Sequence, residues 1–334
     1  MDNEAQSAIA AVDIGRIRQR AAELAGDVVK TPTVALRSET LGDRLSGARI
    51  HLKLELFQHT GTFKARGALS NARAIAPDRR AAGITAVSAG NHAIAAAWAA
   101  RRLGLSAKVV MQATANPYRV ALAKAEGADV ILKPPGPESF AEAERLVRDE
   151  GRTFIHPFEG ENVTLATGGV GLEFVDAVPD LDAVVVAVGG GGLISGVAAA
   201  VKQLKPACAV YGVEPEGAAS MSRSLAEGRP ITLDKISTIA DSLAPPMALP
   251  FGFNVIRHYV DDVVLVSDDA ICAGMVLLQE EAKLAVEPAC GAAMAAAVGP
   301  LQARLAGKTV GLVVCGANID ARTYTALLER GMRA

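Results

Sequence analysis

An α/β fold of mostly parallel sheets flanked by helices is what this sequence predicts, on three observations. Short Val- and Ile-rich runs alternate with longer Ala-rich runs along most of the chain. The short runs are apolar on both faces, as strands covered by helices on both sides must be. Glycine- or asparagine-rich breaks follow several of them, where a strand would hand over to a helix.

The elements follow in order. "GITAVSA" predicts a strand, "GN" a turn and "HAIAAAWAARRLG" a helix closed by glycine. "AKVVMQ" is the next strand, "NPYRVALAKAEG" the next helix and "ADVILK" another strand. "LDAVVVAV" runs into "GGGG" and the helix "LISGVAAAVKQL", and "KTVGLVV" is a late strand that stops at "CGANID". No fixed-period repeat or low-complexity linker interrupts this order. The softest breaks are residues 133–140 ("KPPGPESF") and 156–169 ("HPFEGENVTLATGG"). "DSLAPPMALPFGFN" (241–254) is too apolar for a linker and reads as a loop lining something.

Composition narrows the function classes. With 334 residues, half of them hydrophobic, the chain is long enough for one large domain or two intimate ones. A formal charge of −2 and the lack of a basic run with interleaved aromatics argue against a nucleic-acid surface. Cys208, Cys272, Cys290 and Cys315 are widely spread, which reads as reduced thiols rather than a disulfide framework or zinc site. The N-terminal "MDNEAQSAIAAVDIGRIRQR" lacks the apolar core of a signal peptide, and runs such as "AIAAAWAA" fall short of a membrane span. A cytoplasmic protein with a small-molecule partner is the expectation.

In open α/β sheets ligands bind beyond the carboxyl ends of the strands, and three unusual segments lie there: "SAGNH", "GGGG" and "CGAN". Four successive glycines before a helix expose bare N–H groups suited to a phosphate. One or two glycines would serve a tight turn, and the spacing matches neither GxGxxG nor a P-loop. Ser88, Asn91 and His92 surround another helix start, where capping and anion binding are equally good readings. Cys315 alone reads as a buried apolar cysteine, and Glu287 as a helix-start carboxylate. Lys64, in "HTGTFKARG", becomes a nucleophile only if its surroundings lower its pKa from about 10.4.

Taken together, "KLELFQHTGTFKARGA", "VSAGNHAIAAA", "VGGGGLISG", "GVEPEGA", "TIADSL", "EPACGAA" and "CGANID" carry a resemblance. In order and approximate spacing the chain resembles the pyridoxal-phosphate (PLP) enzymes of the tryptophan-synthase-β fold (fold type II). Within them it resembles the serine/threonine dehydratases with serine racemase, from about residue 13 to the end. The resemblance implies a two-domain fold: residues 1–79 and 159–334 form a large PLP-binding domain, and 80–158 a small domain that closes over the site. It also implies a homodimer.

Residue by residue, Lys64 matches the lysine that forms the Schiff base with PLP, and Phe63 the residue near the cofactor ring. Gly189, Gly190, Gly191 and Gly192, with Leu193, match the phosphate cradle. Asn91 matches the amide on the ring 3′-oxygen, and the loop Ser88, Ala89, Gly90, Asn91, His92 the part that holds the substrate carboxylate. Cys315 stands where relatives place Ser or Cys near the pyridine nitrogen, a neutral partner that favours loss of a β-leaving group. Glu214 and Ala218 match two ligands of the relatives' cation site. Ser220 replaces the expected aspartate there, leaving a divalent ion, a monovalent ion or none.

The resemblance thus implies a dehydratase that converts a β-hydroxy amino acid, threonine or serine first, to a 2-oxo acid and ammonia. Racemisation and dehydration of 3-hydroxyaspartate or phenylserine-type compounds are the catalytic alternatives on the same fold, and a non-catalytic ligand-binding descendant of the fold is the alternative from another class. Ala89 stands where racemases carry a serine, which disfavours racemisation. "TIADSL" differs from the familiar "TIADG", so Ser242 adds a side chain near the site. The chain ends shortly after "CGANID", so no feedback-regulatory domain is expected.

Overall fold

The computed structural model describes residues 3–134 and 136–334. Met1 and Asp2, which open the N-terminal segment read above, and Pro135, inside the 133–140 break, lie outside the described residues.

Ten strands are described: β1 (Thr33–Ala35), β2 (Arg49–Lys53), β3 (Ile84–Val87), β4 (Ala107–Gln112), β5 (Asp129–Lys133), β6 (Thr153–Phe154), β7 (Ala183–Ala187), β8 (Ala209–Pro215), β9 (Asp262–Val266) and β10 (Thr309–Val313). They form two sheets, β1-β2-β10-β7-β8-β9 and β5-β4-β3-β6. Only β1 runs antiparallel to its neighbour. The expected mostly parallel α/β architecture is therefore present.

Burial follows from the sequence pattern. Val184, Val186, Val210, Val310 and Leu312 lie in the core around the larger sheet, while Ile84, Ala86, Val109, Met111 and Trp98 pack around the smaller one. The helix Asn91–Arg102 buries its first ten residues, because alanine lets it sit between neighbours on every side. Helix Pro288–Val298 is buried all round for the same reason.

Two local expectations are corrected. Much of the 156–169 break is helical, belonging to Glu161–Ala177. Glycine is unfavourable in an isolated helix, but here it permits close packing. A Cβ on Gly171 would lie 2.8 Å from the Val197 carbonyl oxygen, and one on Gly196 2.2 Å from Thr167 Oγ1. Small residues thus let this helix press against Gly192–Leu204. The loop expected over 241–254 likewise ends in a helix, Pro250–Tyr259, with proline in its first turn, where a missing N–H costs nothing.

Candidate active site

Lys64 opens the helix Lys64–Arg73, directly after a chain segment tied to the end of β10. Thr62 bridges Gly316, and Phe63 N–H donates to the Cys315 carbonyl at 3.1 Å. Those bonds set Lys64 beside the C-terminal end of the larger sheet. Its Nζ donates to the Pro157 carbonyl at 2.7 Å and lies 5.0 Å from the Phe63 ring centre. Burial pushes the ammonium down to about 8, against the opposing pull of Cys315 and Glu287. An amine so poised is a nucleophile and base near neutral pH.

The glycine loop faces it. Among the described residues, none of the N–H groups of Gly189 to Leu193 donates to an acceptor within the chain. Residues 190–193 are buried, so these donors need a partner from a ligand. The bare backbone is required: a Cβ on Gly190 would lie 2.2 Å from the Phe158 ring, and one on Gly192 2.5 Å from the Phe158 carbonyl oxygen. Gly191, at φ +90°, adopts a left-handed conformation that a side chain would strain. Phe158 is itself fixed by the turn in which its N–H and that of Glu159 donate to His156 Nδ1.

Asn91 begins the helix after β3 and donates through Nδ2 to both oxygens of Glu287, at 3.0 and 2.7 Å. Its Oδ1 accepts from Asn318 Nδ2 at 2.8 Å. In the preceding loop Ser88 Oγ accepts from Gly90 N–H, and Ala89 and Gly90 are half-buried. His92 is turned away: its ring bonds the Ile155 carbonyl at 2.8 Å, and burial holds it down to about 3, hence neutral. Its side chain therefore supplies no charge for a carboxylate. Cys315 lies 3.8 Å from Cys290, sulfur to sulfur, and that contact together with burial raises its thiol well above the usual range. It too is neutral.

One cavity is lined by Phe63, Lys64, Asn91, the four glycines, Leu193 and Cys315, so the expected residues from three strand ends converge. Glu214 lies elsewhere, at the end of β8. Its two oxygens accept from Met221 and Ser222 N–H, at 2.8 and 2.7 Å, capping the helix Ser220–Glu227, with Ala218 and Ser220 buried alongside. Burial pushes its carboxyl up to about 7. Among the described residues no cluster of three or more His, Cys, Asp or Glu forms a metal-binding group.

Sequence reasoning missed several lining or bracing residues. Glu287 holds the N-cap position of its helix but makes no capping bond, and turns its carboxylate to Asn91 and to Asn318 N–H. Arg119, from the smaller sheet's helix Pro117–Ala125, ion-pairs with Asp241, donates to the Asn318 carbonyl and approaches Glu287 at 3.7 Å. Phe158 completes the wall, beside Ser242 and Leu243 from the loop that the sequence reads as lining something. A second concavity, near Asp27, His59, Trp98 and Arg102, has neither the lysine nor the glycine loop.

Orphaned buried N–H groups opposite a desolvated lysine, at the ends of parallel strands, suit a cofactor carrying both a phosphate and an aldehyde. They define a class of α/β enzyme built around PLP, and the chain belongs to it: a family profile described as "Pyridoxal-phosphate dependent enzyme" matches residues 25–316. The chain is 49% identical to a phenylserine dehydratase of Ralstonia pickettii, over 90% of this chain and 92% of that protein. It is 36% identical to an L-threonine ammonia-lyase of Thermotoga maritima, over 89% and 74%. The solved structure of maize serine racemase superposes with a TM-score of 0.89 at 33% identity, covering 97% of this chain and 98% of that one.

Proposed function

We propose that this PLP enzyme dehydrates β-hydroxy-α-amino acids with an apolar β-substituent, phenylserine-type compounds ahead of threonine and serine, giving a 2-oxo acid and ammonia. The observation carrying this reading is the cavity lining. Phe63, Phe158, Leu243 and Ala289 form an apolar wall, and Lys64 is the lining's single Lys or Arg. A second substrate carboxylate, as in 3-hydroxyaspartate, would meet Glu287 and no spare cation. The identity to the Ralstonia phenylserine dehydratase supports the same ordering.

Bound PLP supplies an electron sink that makes the substrate Cα–H acidic and lets a β-hydroxyl leave. In this reading the N–H groups of Gly189 to Leu193 would hold its phosphate, and Lys64 Nζ would attach it. Asn91, whose orientation Glu287 and Asn318 fix, would stand beside its ring oxygen. Cys315 would offer its ring nitrogen a neutral thiol, which lacks the charge to hold a proton there. Once the substrate's amino group has taken its place, Lys64 Nζ would be a free amine able to take the Cα proton, a role suited to an amine near 8. Backbone N–H groups at the start of the Asn91–Arg102 helix, with Ser88, receive the substrate carboxylate. Ala89 offers no proton to the opposite face of Cα, which favours elimination over racemisation. The smaller body, residues 80–158, closes over the larger one. Glu214 serves as a helix cap, and any cation there would compete with two backbone donors.

Steady-state assays of the PLP-loaded protein with threo-3-phenylserine, L-threonine, L-serine and 3-hydroxyaspartate, following 2-oxo acid, test this reading. The highest kcat/KM belongs to phenylserine and the lowest to hydroxyaspartate. Equal or better turnover of threonine would refute the substrate ordering. No 2-oxo acid from any of the four would refute the dehydratase.

A further inference from the structure

Among the described residues, seven buried side-chain polar atoms have no hydrogen-bond partner. One of them, Ser242 Oγ, belongs to a residue lining the Lys64 cavity, and the other six belong to residues outside that lining. The Ser242 turn is firmly held. Leu243 N–H donates to the Ala240 carbonyl, Asp241 is paired with Arg119, and Ala240 N–H donates to Thr238 Oγ1, which in turn donates to Asp268. The Ser242 carbonyl oxygen would be 2.9 Å from a Cβ on Gly189, so this turn packs directly on the start of the glycine loop.

A buried hydroxyl without a partner is destabilising and is satisfied when an acceptor arrives. The unpaired groups around it, the glycine-loop N–H groups, are donors, and the Lys64 amine lining the same cavity is a further donor that already bonds the Pro157 carbonyl. The chemistry that completes such a set is an anionic oxygen. We infer that Ser242 Oγ donates a hydrogen bond to an anionic oxygen of the bound ligand, either the PLP phosphate or the α-carboxylate of the amino acid. The inference rests on the reading of this cavity as the PLP site, and does not depend on which amino acid is dehydrated.

Ser242→Ala and Ser242→Thr test it. Apoprotein is titrated with PLP by visible absorption, and the PLP-saturated protein is titrated with glycine, an amino acid with no β-leaving group to eliminate, by the shift of that absorption. Ser242→Ala is expected to weaken one of these affinities about tenfold, and Ser242→Thr to restore it. Loss of PLP affinity assigns the bond to the phosphate. Loss of glycine affinity at unchanged PLP affinity assigns it to the carboxylate. Both affinities within twofold of wild type would overturn the inference, as would a lowered unfolding midpoint of the apoprotein unaccompanied by either loss. Neither titration needs turnover, so a protein that binds PLP but dehydrates nothing would refute the proposed function and still report on Ser242.

Discussion

Lys64 shows how surroundings rather than identity make a reactive residue. Its ammonium is desolvated, and the acidic neighbour Glu287 only partly compensates. In the PLP-free protein, reductive labelling of Lys64 should therefore reach half its maximal rate near pH 8, while exposed lysines respond some two units higher. A profile for Lys64 that follows the exposed lysines would contradict this. The linkage has a definite sign: a lysine depressed from 10.5 to about 8 penalises folding below pH 8, and that penalty is relieved as pH rises from 8 to 10.5. Gly192 makes the complementary point about space. Gly192→Ala would thrust a Cβ to 2.5 Å from the Phe158 carbonyl oxygen. It should destabilise the apoprotein by about 1–3 kcal/mol and abolish PLP binding, as thermal unfolding and absorbance titration would read. Lys64 and this loop were legible in the sequence because four adjacent glycines and a lysine among small residues are locally abnormal. The roles of Glu287, Arg119 and Asn318 were not, because each depends on partners far away in the chain. Glu287 acquires meaning only when folding brings it to Asn91, 196 positions away.

At the scale of elements, the helix bearing Lys64 is anchored by charge as well as packing. Arg66, two residues along, donates to Glu55 and Glu173, and Lys53, fully buried on β2, donates to Glu173 and the Thr31 carbonyl. Removing one partner from such a buried network strands the others, so Arg66→Ala should cost about 3–5 kcal/mol of stability. Denaturant unfolding measures it, and a loss below 1 kcal/mol would show that the network relaxes or hydrates. Five of the ten described strands and three of the helices were legible from pattern alone. "AKVVMQ" is β4 residue for residue, and "LISGVAAAVKQL" is helical throughout, the helix starting one residue earlier at Gly192. The helix Glu161–Ala177 was not, since its Thr and Gly residues look like a break and are explained only by the close approach of its partner helix.

Across the whole molecule, the site lies where residues from the two sheets meet. Arg119, from the smaller sheet's side, reaches Asp241, Glu287 and Asn318 on the larger, and Asn116 donates to Asp320. Arg119→Ala should raise amide hydrogen exchange across the helix Pro117–Ala125 about tenfold while leaving Gly192–Leu204 unchanged. An equal rise in both helices would mean global destabilisation instead. That the segments after β3, β7 and β10 would share a site was foreseeable from strand-end logic. The Arg119 bridge was not, because it depends on how the sheets dock. The central claim is that Lys64 bears the cofactor of this cavity, and borohydride reduction of the PLP-loaded protein followed by peptide mass mapping tests it most directly. The account predicts one phosphopyridoxyl mass, on the peptide containing Lys64; a mass on another lysine, or none, would contradict it.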